Sequence, residues 1–181
     1  MGEIRPVAPA LLVVAAFSRH LAALEWARTR LEGTFGPVER VSAPLAFDQT
    51  DYYAATMGSG LSKQFLTFRH LVAPEKLAAA KLHTNALERE LAQAGAYGEP
   101  RPLNLDPGLL TLGKFMLATT KDQAHRIYLG DGIYAEVTLR FHRGAWESWP
   151  WTYADYRQPA VLDFLLQARE DYRLLIQQAG H

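Results

Sequence analysis

The sequence predicts a single α+β domain over residues 5–178: a mainly antiparallel sheet with a ferredoxin-like βαββαβ core, a hairpin extension and a C-terminal helix. Three observations predict it. Apolar runs that suit strands alternate with stripes at helical spacing in the order strand, helix, strand, strand, helix, strand, which is the order of a split βαβ unit. A chain of 181 residues, 49% of them hydrophobic, is long enough for one substantial core and has the usual size of one domain. Gly130-Asp131-Gly132 sits between two alternating runs and reads as the turn of a hairpin.

Residues 11–17 are apolar on both parities, as a central strand covered on both faces requires. Leu21, Leu24, Ala27, Leu31 and Phe35 follow at steps of three and four, predicting a helix that stops near Gly33 or Gly36-Pro37. Residues 38–47 read as a second strand, broken or bent at Pro44, which cannot donate to a ladder. Asp48, Asp51, Gly58 and Gly60 mark residues 48–60 as a loop, and residues 62–71 as the third strand behind it. Pro74 and Glu75 suit the first turn of a helix, where a missing amide costs nothing and an acid meets the positive dipole end. Leu77, Ala80, Thr84, Leu87 and Leu91 carry its buried stripe towards Gly95. After a Gly/Pro-rich connector at 95–102, Asp106-Pro107-Gly108 suits a type II turn and residues 110–118 the fourth strand.

In the hairpin, a two-residue turn would set Ile127 against Glu136 and Leu129 against Tyr134, mixing core and solvent residues on each side. A three-residue loop sorts them: Leu129 opposes Ile133, Ile127 opposes Ala135, Tyr128 meets Tyr134 and Arg126 meets Glu136. That register predicts that Ile127, Leu129, Ile133 and Val137 are buried. Residues 146–156, rich in aromatics and prolines, are expected to wrap over the body. The closing helix begins near Pro159, with Leu162, Leu165, Arg169, Tyr172 and Ile176 at helical spacing.

Composition narrows the function classes. Nineteen basic side chains against nineteen acidic ones leave a formal charge of zero, and so no overall field towards nucleic acid or an anionic membrane. The absence of cysteine removes disulfides, thiolate metal sites and thiol nucleophiles, and points to a reducing, cytoplasmic compartment. The longest apolar run, residues 8–17, contains Pro9 and is too short to span a bilayer. Gly58-Ser59-Gly60-Leu61-Ser62-Lys63 has the residues of a phosphate loop but precedes a strand rather than opening a helix.

The most suggestive polar cluster is Thr119, Thr120 and Lys121 with His125 and Arg126, at the mouth of the hairpin. Hydroxyls, an amine, an imidazole and a guanidinium are the inventory for holding an oxyanion or phosphate. Tyr128 and Tyr134 add a wall for a planar ligand, and His125 and Glu136 are the candidate acid–base groups. Asp48, Asp51 and Asp106 are the candidates for Mg²⁺, which needs one or two carboxylates when phosphates supply the other oxygens. Two functional classes stand open. The chain binds a small anionic or phosphorylated, nucleotide-like ligand at this cluster, or it is a non-catalytic module that contacts a partner or a second copy of itself through residues 146–156.

Several runs resemble a known family: Phe47-Asp48-Gln49-Thr50-Asp51-Tyr52-Tyr53, Asn104-Leu105-Asp106-Pro107-Gly108, Thr119-Thr120-Lys121, residues 125–139 and Pro150-Trp151-Thr152-Tyr153. Together they are similar to the bacterial family carrying domain of unknown function 4416, over nearly the whole chain. The resemblance implies no activity, substrate or cofactor. It does imply that these polar motifs are family features, and it gives most weight to the cluster at 119–136.

Overall fold

The computed structural model describes residues 2–3, 6–48 and 53–179. Among them the chain forms β1 (Leu11–Ser18), α1 (Leu21–Phe35), β2 (Val38–Val41), β3 (Leu45–Phe47), α2 (Ala54–Met57), β4 (Leu61–Phe68), α3 (Leu77–Gln93), β5 (Asn104–Leu110), β6 (Lys114–Thr119), β7 (Ile127–Gly130), β8 (Ile133–His142), β9 (Ala145–Ser148) and α4 (Pro159–Gln178). The strands make one nine-stranded sheet in the order β2-β4-β1-β5-β6-β8-β7, with β3 continuing along β4 and β9 along β8. Every pair is antiparallel. The protein is thus α+β, with helices on both faces of a large antiparallel sheet. No helix among the described residues is long and apolar enough to cross a membrane.

β1 explains why both parities of its run are apolar. Leu12, Val14 and Ala16 enter a core shared with Leu24, Ala27 and Leu31 of α1 and Leu77, Leu87 and Leu91 of α3. Leu11, Val13 and Ala15 enter a second core, against Val161, Phe164, Leu165 and Tyr172 of α4. All eight residues of the strand are buried. The stripe of α1 is rotated from the expected one: Ala23 is fully buried, whereas Leu21 is 72% exposed.

Three local readings are corrected. The Asp106-Pro107-Gly108 run lies inside β5 rather than in a turn, and residues 110–118 fold back on themselves, as the end of β5, a turn and most of β6. Proline survives in a sheet interior here because of where its nitrogen points. The Leu105 N–H goes to the Glu88 carboxylate at 2.8 Å and the Thr111 N–H to the Lys114 carbonyl at 2.9 Å. By the two-residue period, the nitrogen of Pro107 faces the β6 side as well. There the β5–β6 ladder covers only Gly108 to Leu110, so no bond is lost. Gly108 then lets β6 close in, since a Cβ at that position would sit 2.4 Å from the Met116 carbonyl oxygen.

The hairpin connects through Asp131-Gly132, both at positive φ (52° and 74°), as a two-residue turn of this hand demands. Gly130, not Leu129, opposes Ile133, and Leu129 bulges out. The bulge restores the expected pairs Tyr128–Tyr134 and Ile127–Ala135. Ile133 is buried as expected, but Ile127 is 72% and Leu129 43% exposed. The register alone predicts their burial, but neither core reaches β7, the last strand of the sheet.

Candidate functional site

Where β5 and β6 part, the sheet opens onto a cavity of about 480 Å³ at the C-terminal end of β1. Antiparallel register builds one of its walls. Phe17 of β1 faces Lys63 of β4 on one side and Asn104 of β5 on the other, and Ala15 faces Asp106, so these side chains share a face of the sheet. Phe47 and Tyr53 lie over Phe17, with ring centroids 4.6 and 5.0 Å away. The opposite wall is a 3₁₀ turn, Ala154–Arg157, that brings in Asp155 and Tyr156. That turn is held rigidly. Thr152 Oγ1 donates to the Thr138 carbonyl at 2.6 Å and accepts from the Trp149 N–H, while Arg157 donates to the carbonyls of Trp149, Pro150 and Thr152.

From the other face of the sheet, α3 reaches through the gap. Lys81 Nζ donates to the Leu105 carbonyl at 2.8 Å and to Asp106 Oδ1 at 2.9 Å, and Glu88 Oε1 accepts from the Leu105 N–H. Two side chains of a helix therefore satisfy the backbone groups that a paired β6 would otherwise have bonded. Asp106 also accepts from Asn104 Nδ2, and Arg101 bonds both Asn104 and Glu88. Burial alone would push the Asp106 carboxyl up, but Lys81 and Lys63, with the hydrogen bonds from Lys81 and Asn104, outweigh it and hold it below the ordinary range. Burial raises the Glu88 carboxyl against the opposing pull of Lys81 and Arg101.

Lys63 is a deeply enclosed cation. Its ammonium donates to Asp155 Oδ2 at 2.5 Å and sits 4.6 to 5.3 Å from the ring centres of Phe17, Phe47, Phe65 and Tyr156. A desolvated ammonium gains about 2 kcal/mol from such rings. Tyr156 is buried and lines the cavity, and its hydroxyl has no hydrogen-bond partner among the described residues. Burial first, and then the carboxylates of Asp155 and Asp106, push that hydroxyl well above the ordinary phenol range, so it keeps its proton.

The sequence cluster divides between this cavity and its surroundings. Thr119, Thr120 and Lys121 line the cavity, as do Glu136 and Asp106. Arg126 is turned inward to hold structure: it donates to Glu136 Oε2 at 2.8 Å, to the Lys121 carbonyl at 3.0 Å and to the Tyr153 hydroxyl at 2.7 Å. His125 stacks on Trp151 at 5.1 Å and lies 3.1 Å from the same Glu136 oxygen. Tyr128 and Tyr134 pack on each other at 5.2 Å, away from the cavity lining. Asp48 does not line it, and Asp51 lies outside the described residues. Among the described residues no group of three or more His, Asp or Glu converges as a metal site.

Sequence reasoning missed Lys63, Lys81, Arg101, Asn104, Asp155 and Tyr156. A signal existed for two of them: Lys63 interrupts the apolar parity of Leu61 and Phe65, and Lys81 stands on the buried stripe between Leu77 and Thr84. A charged residue at a core position needs a buried partner, and so marks a polar site inside the fold.

No curated relative and no solved structure matches the chain. One family model does, over residues 8–172, which include every element that builds the cavity, and by that match the chain belongs to the family described as Domain of unknown function (DUF4416).

Proposed function

We propose that the chain binds a small anionic, nucleotide-like ligand in the cavity between β5 and β6. One observation carries the reading: basic side chains from four separate elements line a single cavity together with aromatic rings. Lys63 comes from β4, Lys81 from α3, Arg101 from the segment before β5 and Lys121 from the loop after β6, with Phe17, Phe47, Tyr53 and Tyr156 set among them. Its volume lies within the usual range of small-molecule sites, roughly 300–1,000 Å³. The exposed rim, Thr120, Lys121 and Gln123, offers donors to a phosphate. The reading places the protein in the cytoplasm, where phosphorylated metabolites are abundant and a cysteine-free chain is at home.

The second reading, a partner surface on residues 146–156, keeps only part of its ground. Trp146 is buried, Asp155 and Tyr156 face the cavity, and Trp151 and Tyr153 remain as exposed rings.

The test is a thermal-shift panel of nucleoside monophosphates, sugar phosphates and inorganic phosphate, followed by calorimetry on any hit. A ligand at a hundred times its Kd stabilises by about 2.7 kcal/mol. Lys121→Ala, at an exposed rim position, is expected to weaken a hit about tenfold while leaving the unliganded protein folded. A panel with no shift anywhere, or a hit indifferent to Lys121→Ala, counts against the reading.

A further inference from the structure

We propose that the buried end of the cavity reads a carbonyl oxygen on the planar part of the ligand, with the Tyr156 hydroxyl as donor. The ligand class then narrows to phosphorylated oxo-heterocycles, such as hypoxanthine, guanine or uracil nucleotides, bound base inward and phosphate outward. This rests on the binding reading above and adds an orientation and a chemical preference to it.

The argument begins with how charge changes with depth. At the deep end each base has its acid: Lys63 bonds Asp155, Lys81 bonds Asp106, and Glu136 is bonded by Arg126. A further anion there would meet three carboxylates whose charge is already balanced, with little solvent to screen them. At the mouth, Thr120 and Lys121 are exposed to solvent, which screens the charges around them, so the phosphate belongs there. The deep end is left for an uncharged group.

The hydroxyl of Tyr156 decides which uncharged group. It is a buried donor with no acceptor among the described residues, and leaving such a group unsatisfied is costly. A carbonyl oxygen satisfies it. An exocyclic amine cannot accept the phenol proton and would point N–H groups towards the Lys63 ammonium, which is itself a donor with no acceptor capacity. The ring N–H beside such a carbonyl finds acceptors in the carboxylates that line the same cavity, Asp155 and Asp106. Phe17 and Phe47 supply faces for the ring.

Inosine and adenosine monophosphates differ at the relevant position by oxygen against amine in rings of the same shape. Calorimetry on the full chain is expected to favour the inosine nucleotide by about tenfold, the worth of one hydrogen bond. Tyr156→Phe keeps the ring that packs on Phe65 and Phe115 and removes an oxygen that has no partner among the described residues. The variant is expected to melt no lower than the parent and to bind the two nucleotides within about threefold of each other. Purine riboside monophosphate, which lacks the oxygen, tests the same point without a variant and should bind the parent as weakly as the adenosine nucleotide. Equal binding of the inosine and adenosine nucleotides by the parent, or an unchanged preference in Tyr156→Phe, overturns the carbonyl assignment and leaves the cavity reading standing. If no nucleotide or phosphate binds at all, the cavity reading fails and this inference falls with it.

Discussion

Asp106 has two jobs in the cavity, as counter-ion to Lys81 and as acceptor for Asn104. Lys81 is buried, so Asp106→Asn would strand an ammonium inside the protein, at a cost of about 3 kcal/mol in urea unfolding. The pH dependence has a fixed sign. The folded carboxyl lies below its unfolded value of about 4, so its contribution is complete above that pH and fades as pH falls through the folded value. The gap between parent and Asp106→Asn is therefore expected to narrow on titration from pH 6 to pH 3; a gap that held constant would show that Asp106 is not paired in solution. At this scale the sequence was half legible. Thr119, Thr120, Lys121, Glu136 and Asp106 do line the cavity. Arg126, a guanidinium beside threonines and a lysine, looks the same in sequence whether it faces a ligand or Glu136, and only the fold, which sets the Lys121 carbonyl and the Tyr153 hydroxyl around it, turns it inward.

Among the elements, β5 was the hardest to read and is the most informative. Asp-Pro-Gly satisfies the local chemistry of a turn as well as it satisfies this strand, because both need a residue without a donor followed by one without a Cβ. What separates the two is the partner strand, which lies outside any local window. Two substitutions distinguish the roles by their cost. Gly108→Ala puts a Cβ 2.4 Å from the Met116 carbonyl oxygen and 2.8 Å from the Phe115 ring, and is expected to lower stability by about 2 kcal/mol or more. Pro107→Ala restores an N–H where β6 has already parted, and is expected to stay within about 1 kcal/mol of the parent. Equal losses in chemical denaturation would refute the assignment. β1, by contrast, was plain from its residues, because a strand buried on both faces calls for an apolar run on both parities.

At the scale of the molecule, two cores hold one sheet, and its last strand lies beyond both. Ile127, Tyr128 and Leu129 on β7 are 72%, 59% and 43% exposed along an open edge, the arrangement most prone to pair with another chain. Ile127→Lys is expected to reduce any growth of light-scattering mass with concentration and to leave the melting temperature within about 2 °C, since no buried area is lost. The sequence could not reveal this exposure, because the alternation that marks a half-buried strand is silent on whether a second layer arrives to cover it. The parting of β5 and β6 has a further consequence for motion. A ladder opens only when a strand peels away, but the two backbone bonds of Leu105 end on the side chains of Lys81 and Glu88, each held in turn by an ion pair, with Asp106 and with Arg101. The lip of the cleft at Leu105 is therefore tied to a helix, and a shift of α3 would move it with no strand lifted from the sheet.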